Sequence, residues 1–195
     1  MLPSSVFFRH QSNTIPENFS QSVQTKNRSR IWTQQKQNPH TLNFWMPIFA
    51  GVAGTLVMTC FTRFMSHILK KPFYVVVILA TMLPFKRNVS APNVSVYIMA
   101  TSLHYFIGVV FSYLYFWQLV EGLIINDALC ALLYGVIIGS IAVIGWRLFF
   151  FFHPNPPPIE LIPYLFTIWF GHITLSITFA VIFTIYASYT MSEAG

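Results

Sequence analysis

Four long apolar runs are the feature that most limits what this chain can fold into. They cover about Phe44–Thr62, Tyr97–Val120, Leu129–Phe152 and Leu161–Ser188. A helix that rises about 1.5 Å per residue needs roughly 20 apolar residues to cross a hydrocarbon core of about 30 Å, and each run is long enough. Hydrophobic residues make up 55% of the chain and charged residues 8%, a balance that a soluble domain of this size cannot hide from water. The sequence therefore predicts an all-α fold, a bundle of four transmembrane helices.

A fifth apolar stretch, Phe73–Phe85, is too short to cross a bilayer. Basic residues flank it, with Lys70 and Lys71 before it and Lys86 and Arg87 after it. Because positive side chains favour the cytoplasmic side, both ends of this stretch are expected on the same face of the membrane. The sequence predicts a short interfacial or re-entrant helix after the first span.

Most of the positive charge lies in two places, the N-terminal segment and the connection between the first two spans. Residues 1–43 are polar and basic with little apolar periodicity, which predicts a disordered tail before a four-span domain at 44–190. The charge balance of the connections favours a cytoplasmic location for the first and third. The tail lacks a nucleic-acid-binding fold and regularly spaced aromatics, so the expected partner is the lipid bilayer and not a nucleic acid.

Four ionisable residues fall within or at the edge of the long runs. His104 lies early in the second run, His172 early in the fourth and Arg147 late in the third, while Arg63 closes the first. Because the chain reverses direction at each crossing, all four approach the same face of the membrane. Ionisable groups at membrane depth are costly and tend to mark function. The sequence therefore predicts a polar, cation-rich ligand pocket near one face, formed by these four residues.

The two histidines begin stripes of small or polar residues that should face the inside of the bundle. On the second span, His104, Gly108 and Ser112 recur every four residues. On the fourth span, five residues recur at the same four-residue spacing: His172, Ser176, Ala180, Thr184 and Ser188. Small residues also recur in the first span, and the third contains Gly135-x-x-x-Gly139. Such faces allow close helix packing within the chain or in a homo-oligomer.

The predicted pocket has several interpretations. In the structural one, neutral histidines bond to Thr55, Thr59 or each other, and the arginines reach to lipid headgroups. In the ligand-binding one, the absence of an acid within any span favours an anionic lipid or another anion. In a third interpretation, His104 and His172 bind haem b, with the arginines at its propionates, or the two histidines belong to a quinone-linked electron carrier. A fourth is a small transporter.

Catalytic and metal-binding motifs are missing from the sequence. There is no H-x-x-x-H or H-E-x-x-H box, no G-x-S-x-G nucleophile and no pair of intramembrane aspartates. A metal site is therefore not predicted, and a non-enzymatic role is favoured.

Short segments of all four spans give the chain a resemblance to a known group. These segments are Gly51–Thr59 (GVAGTLVMT), Leu103–Gly108 (LHYFIG), Tyr134 and Gly135 with Gly139, and Gly171–His172. In this order they resemble a group of small, uncharacterised four-span bacterial inner-membrane proteins, over roughly residues 46–187. The chain departs from that pattern at Ser176, where the group tends to have glycine. The resemblance implies a bacterial cytoplasmic membrane and a role for His104 and His172, but no activity.

Overall fold

The structure, a computed structural model, describes residues 44–84 and 92–192 and contains five α-helices and no strand within them. The helices are α1 (Trp45–Leu69), α2 (Val75–Met82), α3 (Val94–Val120), α4 (Ala128–Phe152) and α5 (Leu161–Ser192). All except α2 are long and apolar enough to cross a bilayer. This confirms the predicted all-α, four-span fold with a short helix after the first span, and the chain is an integral membrane protein. The predicted tail at 1–43 lies outside the described residues.

Polar side chains fix the first turns of two of the spanning helices. Asn93 precedes α3, and its Oδ1 accepts a hydrogen bond of 3.0 Å from the backbone N–H of Val96. Asp127 precedes α4, and its Oδ1 accepts one of 2.7 Å from the N–H of Cys130. These caps satisfy backbone N–H groups that have no partner within the helix. Because Asn93 is the cap, α3 begins earlier than its apolar run alone predicted.

Glycines set the contacts between neighbouring spans. α1 packs along both α3 and α5, and α4 packs along α5. A Cβ atom on Gly51 of α1 would lie 2.5 Å from the Cα of Val109, and one on Gly135 of α4 would lie 2.7 Å from the Cα of Ile173. Only a residue without a side chain allows these backbones to approach so closely. The Gly135-x-x-x-Gly139 pattern is thus confirmed as a packing site, and it is already occupied by α5 of the same chain. The predicted homo-oligomer stays a prediction.

The short helix α2 lies among the spans at the end of the bundle where α1 and α4 finish and α3 and α5 begin. Its Val75, Ile78 and Met82 pack with the aromatic end of α4 and the start of α5. Its Leu79 and Ala80 pack with the beginning of α3. Five of its eight residues are buried, because apolar side chains occur all round the helix and find protein neighbours on several sides. We call this end of the molecule the α2 end.

At the opposite end, a buried polar network ties the second connection to the spans. Asn126 accepts a hydrogen bond of 3.0 Å from the Tyr115 hydroxyl. Its amide nitrogen donates to the carbonyl of Ala180 and to the hydroxyl of Thr184. Each of these groups would be costly to bury without a partner, so the network stabilises this end. It was not predicted, because a single Asn in a short connection gives no sign of being buried.

Candidate functional site

A cavity of about 290 Å³ lies between α3 and α4, with α1 and α5 behind it and α2 at one end. In the described part of the chain, α3 and α4 do not pack closely along their backbones, and this leaves space for the cavity. We call it the histidine cavity. The lining residues that matter below are His104, His172, Val75, Leu79, Gly145 and Trp146.

His104 reaches the cavity from α3 and is fixed by a threonine of α1. Its Nε2 lies 3.3 Å from the hydroxyl oxygen of Thr59, and that hydroxyl donates its proton to the carbonyl of Thr55 at 2.7 Å. Since the hydroxyl has only one proton, Nε2–H of His104 donates to Thr59, and Nδ1 of the neutral ring keeps its lone pair. Contact with Thr59 was one of the predicted structural interactions, and it is confirmed.

His172 reaches the cavity from α5 and is 7% exposed. Its Nδ1 lies 2.8 Å from the carbonyl oxygen of Ile168, one turn earlier. A carbonyl can only accept, so Nδ1 carries the proton and Nε2 of the neutral ring is left as a hydrogen-bond acceptor. Phe111 packs against the ring edge to face, with centroids 5.9 Å apart. The tautomer of His172 is therefore set by the backbone, whereas that of His104 depends on a rotatable hydroxyl.

The two histidines lie at nearly the same depth in the bundle. His104 follows the first residue of α3 by ten residues, and His172 follows the first residue of α5 by eleven. Both helices start at the α2 end, so both rings lie about 15 Å along the bundle from that end, at about 1.5 Å per residue. The apolar runs alone suggested different depths, because they miss the part of α3 that Asn93 caps.

The stripes of small or polar residues that begin at His104 and His172 face the inside of the bundle, as predicted, over most of their length. Gly108 and Ser112 are buried on α3, and Ser176 and Ala180 are buried on α5. The Ser176 hydroxyl donates to the carbonyl of Ala131 on α4. Near the end of α5 the stripe is exposed at Thr184 and Ser188, although the Thr184 hydroxyl still accepts a hydrogen bond from Asn126.

The two arginines do not join the histidines. Arg63 is exposed on α1, and Arg147 is exposed on α4, where it lines two grooves on other faces of the helix. Neither lines the histidine cavity, and no Asp, Glu or Lys among the described residues does so. The structure therefore does not assemble the predicted cation-rich pocket of four residues. What it does assemble is an uncharged cavity with two imidazoles in apolar walls.

The walls of this cavity contain residues that sequence reasoning missed. Ala142, Gly145, Trp146 and Phe149 of α4 line it, and their spacing of three, one and three residues places them on one helix face. That spacing was readable in the sequence, but nothing there indicated which partner the face meets. Gly145 is exposed, and a Cβ atom added to it would have no neighbour within 4 Å, so this side of the cavity is open.

The arrangement offers two acceptor nitrogens in a largely apolar space. The described residues contain no group of three His, Cys, Asp or Glu side chains that could hold a metal ion. Neutral imidazole nitrogens accept hydrogen bonds from hydroxyl or N–H groups, and the apolar walls favour a lipophilic molecule. The volume lies at the lower end of the range for small-molecule sites.

Comparisons with protein-family models, with curated proteins and with solved structures find no match to this chain.

Proposed function

We propose that this protein binds a small lipophilic molecule that carries a hydroxyl group, and that the histidine cavity is the binding site. The observation that supports this most is the fixed tautomer of His172, which leaves Nε2 as an acceptor on a residue that lines a largely apolar cavity. Long-chain alcohols and quinols have the required donor. The resemblance to four-span bacterial proteins adds the bacterial cytoplasmic membrane as the location in this proposal.

The chemistry of the cavity favours a hydroxyl over an anion. An anion would need a positive partner, and the arginines lie elsewhere. A lipophilic molecule can reach the cavity from the bilayer, since its α3–α4 side is open next to Gly145.

A matched pair of ligands tests the role of the hydroxyl group. Farnesol is expected to bind about tenfold more tightly than its methyl ether, because the ether cannot donate to the buried nitrogen and one such hydrogen bond contributes about 1 kcal/mol or more. The measurement is competition of each compound against radiolabelled farnesol on protein purified in detergent.

Variants of two histidines complete this test. His172→Phe keeps a ring of similar size and should remove the preference for the alcohol, whereas His67→Phe, at an exposed position of α1, should preserve it. Equal affinity for alcohol and ether in the wild-type protein would refute the proposed hydroxyl recognition. So would a preference that persists in His172→Phe.

Haem is a second candidate, and the bond from His172 Nδ1–H to a backbone carbonyl is what favours it. Metal-bound histidines usually donate their second ring N–H in this way, which orients Nε2 toward the metal. Against it, His104 offers Nδ1, because Nε2 is held by Thr59. The absorption spectrum of purified protein separates the candidates. Haem predicts a Soret band that is lost in His104→Ala and in His172→Ala, and the alcohol site predicts a colourless protein.

A further inference from the structure

We infer that Arg147 is the centre of a second and separate lipid site, which takes an anionic phospholipid with two acyl chains. Arg147 lies on α4, five residues before the helix ends at the α2 end of the bundle. This is about 7 Å from the helix end at about 1.5 Å per residue, the region where headgroups meet acyl chains.

Two apolar grooves meet at Arg147. The larger, of about 1110 Å³, passes Ile144, Leu148 and Phe151 of α4. The smaller, of about 300 Å³, passes Val143 of α4 and Leu165, Phe166 and Trp169 of α5. Arg147 and Ile162 line both grooves. A molecule with one charged head and two hydrocarbon chains fits this geometry, with one chain in each groove.

The charge of Arg147 has no acidic partner within the described residues. The acid that lines the larger groove is Glu160, and it forms an ion pair with Lys71 from the segment before α2. This is the one ion pair found in the described part of the chain. An arginine near the membrane core gains most from an anionic partner, and its guanidinium matches the geometry of a phosphate.

The rest of the α2 end supports an anionic headgroup there. Lys70 is exposed directly after the end of α1, so this face carries further positive charge. Pro156 and Pro157 line the larger groove and stiffen its wall, because proline fixes the backbone φ angle. A wall of this kind limits the conformational cost of binding.

This site is independent of the histidine cavity. On α4 the cavity is lined by residues 142, 145, 146 and 149, and the grooves by 143, 144, 147, 148, 150 and 151. No residue lines both the cavity and a groove. The ligands also differ, since the cavity has no charge and the grooves share one cation.

Native mass spectrometry of the full chain, released from a non-ionic detergent, tests the inference with four additives: phosphatidylglycerol, phosphatidylcholine, lysophosphatidylglycerol and inorganic phosphate. Phosphatidylglycerol is expected to bind about tenfold more tightly than phosphatidylcholine, the change that one charge-assisted hydrogen bond supplies. The single-chain lipid should bind more weakly than the two-chain lipid. Arg147→Gln should abolish the preference for the anionic lipid, and Arg147→Lys should retain part of it.

Arg63→Gln is the matched control, because Arg63 is also an exposed arginine but lines neither groove. It should keep the full preference. The inference is overturned if the wild-type protein binds both phospholipids equally, or if Arg147→Gln prefers the anionic lipid as strongly as the wild type. It is also overturned if inorganic phosphate displaces the lipid or if the single-chain lipid binds equally well. None of these results depends on farnesol binding.

Discussion

Replacing Gly51 by alanine is expected to lower the free energy of unfolding of the bundle by about 1–3 kcal/mol, the usual effect of overpacking a tight contact. The added Cβ would lie 2.5 Å from the Cα of Val109 and 3.0 Å from its backbone nitrogen. These are main-chain atoms of α3 and cannot move aside by rotation of a side chain. α1 and α3 would have to separate, and the threonine contact that positions His104 lies between the same two helices.

Gly145→Ala is the matched control for this prediction. It makes the same substitution within a spanning helix, but the new Cβ would have no neighbour within 4 Å. Alanine favours a helix over glycine by about 1 kcal/mol, so this variant should be as stable as the wild type or more stable. Loss of helical circular dichroism during titration with sodium dodecyl sulfate measures both. Equal midpoints for Gly51→Ala and Gly145→Ala would contradict the close approach of α1 and α3.

Replacing Gly145 by leucine is expected to reduce binding of farnesol by more than tenfold, a change of about 1.4 kcal/mol or more in binding free energy. Gly145 lines the histidine cavity and has open space where its side chain would be. A leucine there occupies volume that the ligand needs. Because a Cβ atom at this position has no neighbour within 4 Å, the variant is expected to stay folded, and its unfolding midpoint in sodium dodecyl sulfate separates loss of binding from loss of structure.

Thr101→Leu is the control for an added apolar side chain. Thr101 is exposed on α3, does not line the histidine cavity, and bonds only to the carbonyl of Tyr97 in its own helix. It should bind farnesol as the wild type does. If Gly145→Leu retained full binding while remaining folded, the ligand would have to bind elsewhere on the protein.

The spans and their inward faces were predictable because both depend on spacing along one helix. The length of an apolar run sets the number of crossings, and the recurrence of His104, Gly108 and Ser112 every four residues sets a face. Depth was less predictable. The first turn of α3 depends on the cap at Asn93, which apolar content does not reveal.

The placement of the arginines shows why the predicted pocket of four residues did not form. Arg147 lies at the expected depth along the axis of α4. What its side chain contacts, however, depends on the direction in which the side chain leaves the helix. Arg147 follows Trp146 directly and is therefore turned by about 100° from it, at 3.6 residues per turn. Trp146 lines the cavity and Arg147 lines the grooves. Which face of α4 meets α3 could not be deduced without knowing the packing of all the helices.

The sequence predicted that the short helix α2 exists, but it did not predict which residues α2 contacts. Its length and basic flanks indicated a segment that does not cross. Its apolar residues occur all round the helix, so no single face indicated a partner, and Val75 and Leu79 prove to line the cavity.

Photo-crosslinking with a diazirine-bearing farnesol analogue, mapped by peptide mass spectrometry, locates the ligand most directly. Label is expected on the cavity faces of α3 and α4, at Ile107 and Phe111 and at Ala142 and Phe149, and it should be lost in Gly145→Leu. Label on lipid-facing residues such as Phe106 and Ile137, at equal yield in the wild type and in Gly145→Leu, would contradict binding in the histidine cavity.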